Sequence, residues 1–307
     1  MASPAKNLLR VALVQMQVSS NKAQNLQRAR EHVLTAAHKG AELVVLPECF
    51  NSPYGVQHFP QFAEPIHCTP GESIQALAKM AKDANVYLVG GSIPERDEQT
   101  HKLYNSCPVF DRQGHLVTVH RKVHLFDIDV PGKMTFKESD VLSPGCKLTS
   151  FSTEWGEIGV GICYDLRFPE MAMVAARQGC IGMVYPAAFN TTTGPVFFEL
   201  LQRARAVDNL FFVATCSPAR PTDPSSYPAW GYSSVISPIG EVLAKAQETE
   251  TIVYSEFDLV KMAEARRSYP IYQQRRFDLY PDVNQGTHQV LSLEVDQQVA
   301  QQKQDSS

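Results

Sequence analysis

A glycine-spaced, β-branched strand that runs straight into a cysteine constrains this chain more than any other stretch. It reads Gly159-Val160-Gly161-Ile162-Cys163-Tyr164-Asp165-Leu166-Arg167-Phe168-Pro169-Glu170, and Phe-Pro-Glu is a helix start. The string predicts a tight strand-to-helix turn with the Cys163 sulfur at the positive end of a helix. Backbone N–H groups at such an end lower a thiol's pKa and can cradle a developing oxyanion. The competing reading is a small buried core thiol, the usual fate of a cysteine.

Two further strand ends carry partners for such a thiol. Leu43 to Leu46 is a short apolar run that stops at Pro47 and then presents Glu48. Proline cannot continue a ladder, so the carboxylate falls just beyond the strand. Leu116 to Arg121 alternates apolar and polar and delivers Lys122. In open α/β folds strand ends converge on one rim, where ligands bind. Plainer readings compete: Glu48 as a capping or salt-bridging carboxylate, and the neighbouring Arg121 and Lys133 as solvated charges. Cys49, beside Glu48, is expected to turn its side chain away by strand alternation.

These three segments, in this order, resemble the nitrilase-type carbon–nitrogen hydrolases, which use a Glu-Lys-Cys triad. The resemblance runs from about Leu9 to about Tyr280 and is closer in Leu46-Pro47-Glu48-Cys49-Phe50-Asn51-Ser52-Pro53-Tyr54-Gly55. It continues through His124 to Lys133, Tyr185 to Asn190 and Thr193-Gly194-Pro195, strings similar to the omega-amidase branch. The resemblance implies a four-layer αββα sandwich with mixed sheets. It also implies dimers built through the helix after the nucleophile and the C-terminal segment.

It assigns roles too. Cys163 would attack an amide carbonyl and form a thioester, and Glu48 would move the protons of both half-reactions. Lys122 and the backbone N–H of Tyr164 would hold the oxyanion. Glu138, in Thr135-Phe136-Lys137-Glu138-Ser139, matches a second glutamate that keeps the lysine charged; as a lone loop residue it would be exposed. Tyr54, Phe189, Asn190 and Thr193 lie in rim strings that would shape a short pocket. Arg167 would meet a substrate carboxylate or else pair with Asp165. His124 is read as an internal hydrogen-bonded histidine. Neither a cofactor nor a metal is implied.

Bulk properties narrow the classes. The 307 residues carry a formal net charge of -4, without the basic stripe that a nucleic-acid surface shows. No apolar run approaches a membrane span, and Met1 to Asn7 resembles no signal peptide. The seven cysteines, Cys49, Cys68, Cys107, Cys146, Cys163, Cys180 and Cys216, are scattered, which indicates neither zinc nor a disulfide framework. Free thiols fit a reducing cytoplasm; mitochondrial import lacks an Arg-rich, amphipathic start.

Periodicity predicts strands over 9–15, 42–46, 86–92, 157–162, 181–187, 210–216 and 252–257, and hairpins over 103–121 and 232–245. Helices are expected over 21–38, 72–85, 168–178, 196–208 and 259–267, and a rim loop over 127–144. Hairpins mixed with helix crossovers exclude a purely parallel sheet. One domain over 8–281 and a mobile Gln-rich tail over 282–307 follow.

The expected function is therefore hydrolysis of the terminal amide of 2-oxoglutaramate or 2-oxosuccinamate to 2-oxoglutarate or oxaloacetate plus ammonia. Its enzymatic rival is an amidase for deaminated glutathione, or another nitrilase-type amidase. A non-catalytic scaffold is the rival of another class, and three intact triad residues argue against it. Val89-Gly90-Gly91-Ser92 does not supply a dinucleotide-binding turn.

Overall fold

Short, wholly apolar strands such as Leu43-Val44-Val45 need cover on both faces, and the chain provides it with two facing sheets and outer helices. The computed structural model describes residues 7–132 and 134–280. The chain divides into two compact units, residues 1–265 and 266–307. Both Lys133 and the 282–307 tail lie outside the described residues.

The first part of the chain runs β1 (Leu8–Gln15), α1 (Lys22–His38), β2 (Leu43–Val45), α2 (Phe59–Phe62), α3 (Glu72–Ala84), β3 (Tyr87–Val89), β4 (Ile93–Arg96), β5 (Leu103–Phe110) and β6 (Leu116–Arg121). A hairpin of β7 (Asp127–Val130) and β8 (Met134–Lys137) precedes β9 (Thr149–Thr153) and β10 (Gly156–Val160). Then follow α4 (Pro169–Arg177), β11 (Gly182–Pro186), α5 (Glu199–Asn209), β12 (Phe212–Cys216), β13 (Ser234–Ile236), β14 (Val242–Lys245), β15 (Thr251–Asp258), α6 (Leu259–Ser268) and α7 (Ile271–Gln274). Among the described residues no helix is long and apolar enough to cross a membrane.

One sheet is ordered β15-β1-β2-β3-β5-β4, with β6 also on β5; the other is ordered β14-β13-β12-β11-β10-β9. Parallel pairs (β1–β2–β3 and β10–β11–β12) are flanked by antiparallel ones, so both sheets are mixed. On the first sheet, α1 buries Leu26, Ala29, Val33 and Ala36, and α3 buries Ile74, Leu77, Met80 and Ala81. They share one core with Val14, Val44 and Leu88. On the second sheet α4 comes close because Gly159 has no side chain: a Cβ there would lie 2.8 Å from Met183 and 3.2 Å from Ala175. Between the sheets, Phe212 stacks on Phe257 at 4.5 Å. The Cys216 thiol donates to the carbonyls of Val14 and Val45 at 3.3 and 3.2 Å.

Three local expectations change. The rim loop contains a real hairpin, with Ile128 opposite Phe136, and a 3-10 turn over Glu138–Asp140; both strands are polar on one side and only half-buried, so the apolar signal is weak. The strand expected to reach Ser92 stops at Val89, because Gly91 at φ +65° turns the chain into β4. β9 has the sequence Thr-Ser-Phe-Ser-Thr, whose small polar residues disguise a paired strand.

Candidate active site

β10 ends at Val160, and the chain closes around Gly161 and Ile162 before Cys163 opens a 3-10 turn over Cys163–Arg167. A Cβ on Gly161 would sit 2.5 Å from the buried Tyr185 ring, so only glycine lets the elbow pack here. Cys163 has φ +46°. That left-handed conformation costs an L-residue about 1–2 kcal/mol and persists only where its surroundings dictate it. The thiol is 5% exposed and accepts the Ala188 N–H at 3.5 Å.

The expected low thiol pKa is not what the structure produces. Burial pushes Cys163 well up, the Glu48 charge adds to this, and Lys122 and the Ala188 N–H offset only part. Burial and the Glu48 charge prevail, and the thiol meets only one short 3-10 turn, since α4 begins at Pro169. Its resting form is the protonated thiol.

Glu48 lies just past β2 and Pro47, wholly inside the protein. Its Oε1 accepts from Lys122 Nζ at 2.9 Å and Asn105 Nδ2 at 2.8 Å. Its Oε2 is buried and has no hydrogen-bond partner among the described residues. Lys122, the residue after β6, is pinned by its own N–H, which donates to the Asn105 carbonyl at 2.8 Å. Its ammonium also donates to Glu138 at 3.0 Å. Glu138 opens the 3-10 turn after β8 and further accepts from Tyr54 Oη and the Phe126 N–H, each at 2.8 Å. One cation thus lies between two buried carboxylates.

Burial by itself would neutralise both Glu48 and Lys122. For Lys122 it favours the free amine, but Glu138, Glu48 and Cys163 outweigh it and hold the ammonium well above its usual range. For Glu48 burial raises proton affinity, Glu138 adds to it, and Lys122 opposes. A carboxylate with raised affinity and a free lone pair is equipped as a base near neutral pH. Arg121 is no solvated charge: it pairs with Glu95 at 2.5 Å and Asp97 at 2.7 Å, and stacks on Tyr104.

A cavity of about 740 Å³ reaches this centre at Glu48, with Cys49, Ser52, Tyr54, Phe136 and Tyr227 also in its wall, whereas Cys163, Lys122 and Glu138 do not line it. Tyr54 is brought into the site through Glu138 and tilts against Tyr227 at 4.5 Å. The other expected contacts are placed differently. Phe189 is buried against Phe198. Asn190 is wholly enclosed and accepts from Thr192 and Thr193, so Asn190 and Thr193 form a turn. Arg167 is exposed, over the Phe197 ring at 4.3 Å, and Asp165 pairs with His120 and His124 in its place. Cys49, at φ +50°, has left the strand pattern and packs in an apolar cluster with Phe59, Leu103 and Leu142 at the cavity wall.

Sequence reasoning missed Asn105, Tyr227 and Asp165. Asn105 lies beside Ser106 in a mostly buried strand where nothing singles it out, and Tyr227 sits in a Pro/Ser-rich stretch with no periodicity. Among the described residues no group of His, Cys, Asp and Glu side chains is placed to hold a metal ion.

A two-sheet sandwich with a buried thiol beside a carboxylate–ammonium–carboxylate chain is the arrangement expected of a nitrilase-type hydrolase. The chain belongs to the carbon–nitrogen hydrolase family, whose model matches residues 10–267. It is 58% identical to mouse omega-amidase NIT2 and 56% identical to the human protein, each over 271 residues, 88% of this chain and 96% of the relative. The crystal structure of Saccharomyces cerevisiae Nit3, a member of branch 10 of the nitrilase superfamily, superposes with a TM-score of 0.83. It is 46% identical, and the match covers 90% of this chain and 99% of that one.

Proposed function

We propose that the protein is an omega-amidase that hydrolyses the terminal amide of 2-oxoglutaramate and 2-oxosuccinamate. The observation that carries the chemistry is the buried Glu48–Lys122–Glu138 chain beside Cys163; similarity to the omega-amidases supports the branch. Cys163 attacks the amide carbon as its proton passes to the free Oε2 of Glu48. The oxyanion is met by Lys122 and the Tyr164 N–H. Collapse breaks the C–N bond, and Glu48 gives the proton to the departing ammonia. Water, deprotonated by Glu48, then opens the thioester and restores the thiol.

The catalytic domain is taken as 8–281, supported by the family match over 10–267, and as half of a homodimer. A reducing cytoplasm suits the seven free cysteines. One observation favours a second reading. The cavity volume of about 740 Å³ falls in the roughly 300–1,000 Å³ range of drug-sized ligands, which leaves room for the peptide arm of deaminated glutathione.

The test is ammonia release from 2-oxoglutaramate, succinamate, deaminated glutathione and N-carbamoylputrescine, with Cys163→Ala as control. Preference for the first two amides supports the omega-amidase reading, and preference for the third moves the substrate to the sister branch. Turnover by Cys163→Ala refutes the mechanism.

A further inference from the structure

Two residues past the nucleophile, Asp165 is wholly buried, and all its side-chain partners are donors. Its Oδ1 accepts from the His124 N–H at 2.9 Å and from His124 Nδ1 at 2.8 Å. Its Oδ2 accepts from the Ile162 N–H and from His120 Nε2, both at 2.9 Å. An ionised carboxylate only accepts, so His120 carries its proton on Nε2 and His124 on Nδ1. Nδ1 of His120 is then free to accept from the Thr149 hydroxyl at 3.1 Å. Burial would raise the proton affinity of Asp165, but the His120, His124 and Ile162 donors reverse this and hold the carboxyl well below its usual range.

The placement of these partners is specific. His120 and His124 flank Lys122 on either side, at the end of β6 in the first sheet. Ile162 immediately precedes Cys163, and Thr149 stands opposite Val160 in the second sheet. The Asp165 N–H also donates back to the Ile162 carbonyl at 2.9 Å, so a reciprocal pair brackets the strained Cys163. One carboxylate therefore ties the elbow to the segment that bears the lysine. Stability alone is a weak reason for such a group, since buried ionic networks are often replaceable by apolar packing at no loss.

We propose that Asp165 is a positioning residue for the amidase: it locks the strained Cys163 elbow to the strand end carrying Lys122 and so fixes sulfur against ammonium. The inference rests on the proposed roles of Cys163 and Lys122. An amide at this position keeps one oxygen and leaves either the Ile162 or the His124 N–H without an acceptor.

The test compares wild type, Asp165→Asn, His120→Gln, His120→Leu and Cys163→Ala in steady-state hydrolysis of succinamate, with circular dichroism and Tm to establish folding. A displacement of about 1 Å costs about 10²-fold in rate. That fall is expected in kcat for Asp165→Asn and His120→Leu, with KM nearly unchanged. His120→Gln keeps an N–H for the carboxylate and should recover most of the loss. A folded Asp165→Asn with wild-type kcat overturns the proposal, as does a His120→Gln variant no better than His120→Leu. If Asp165→Asn does not fold, wild-type kcat in His120→Leu is the overturning result. Turnover by Cys163→Ala would instead remove the nucleophile reading on which the proposal stands.

Discussion

Replacing Glu138 by Gln removes one of the two carboxylates on Lys122 and hardly changes shape. Glu138 receives Lys122 at 3.0 Å, Tyr54 at 2.8 Å and the Phe126 N–H at 2.8 Å. A Gln oxygen can keep the first two, but its amide nitrogen then faces the Phe126 N–H. A hydrogen bond to a charged group is worth about 1.5–3 kcal/mol. If the lost interaction acts in the transition state, kcat should fall about 10- to 150-fold, at about 1.4 kcal/mol per decade. The pH profile gives a second, independent readout. The Glu138 charge raises the proton affinity of both Glu48 and Lys122. Its removal should therefore move the acidic limb of kcat/KM, where Glu48 must be ionised, to lower pH. The basic limb, where Lys122 must keep its proton, should move the same way. Ammonia release measured across pH, with Tm as the folding control, checks both. A folded variant with kcat within about threefold of wild type and unmoved limbs would show that Glu138 does not act through the lysine.

Glu48→Gln should slow iodoacetamide alkylation of Cys163 at neutral pH, because the buried thiol depends on that carboxylate to take its proton; exposed Cys68 and Cys146 serve as internal standards in peptide mass spectrometry. Faster labelling would mean that Glu48 only repels the thiolate. Asp165 has a folded pKa held below its unfolded value, so its stabilisation is present above roughly pH 3.9 and fades as pH falls below it. Tm measured from pH 6 down to pH 3 should accordingly fall less steeply in Asp165→Asn, and parallel curves would refute this. Gly161→Ala drives a methyl into the Tyr185 ring, an overpacking that costs about 1–3 kcal/mol. A thermal melt should show Tm lower by roughly 2–12 °C, and an unchanged Tm would show that the elbow has slack.

Much of the sandwich was readable because burial leaves a periodic trace. The faces of α1 and α3 and the apolar runs of β2 and β11 follow it within a residue or two. The candidate site leaves a trace where a strand stops, as at Pro47 before Glu48 and at the Gly161–Cys163 elbow. Legibility ended where a residue's role depends on contacts distant in sequence. Asn105 meets Glu48 across 57 positions, and Asp165 meets His120 across 45; no local pattern encodes either pairing. Arg167 is a different case. Sequence nearness to Asp165 suggested a pair, but Arg167 lies at the surface over Phe197 and Asp165 pairs with His120 and His124.

Charge counting explains why the site needs two carboxylates and a thiol that keeps its proton. On the proposed roles the resting state has Glu48 and Glu138 negative, Lys122 positive and Cys163 neutral, a net charge of one negative in a buried space. A free thiolate would add a second negative charge there, which burial penalises heavily. On the proposed roles, the attack transfers the thiol proton to Glu48 while the amide oxygen becomes an oxyanion. One negative charge disappears at Glu48 as another forms on the oxyanion, within reach of the same ammonium. The total never changes, so little new desolvation accompanies the step. Once Glu48 is protonated, only Glu138 remains to keep Lys122 charged beside the oxyanion. On these proposed roles a single carboxylate could not act as base and counter-ion at the same moment, which gives the wholly buried Glu138 a task behind the lysine.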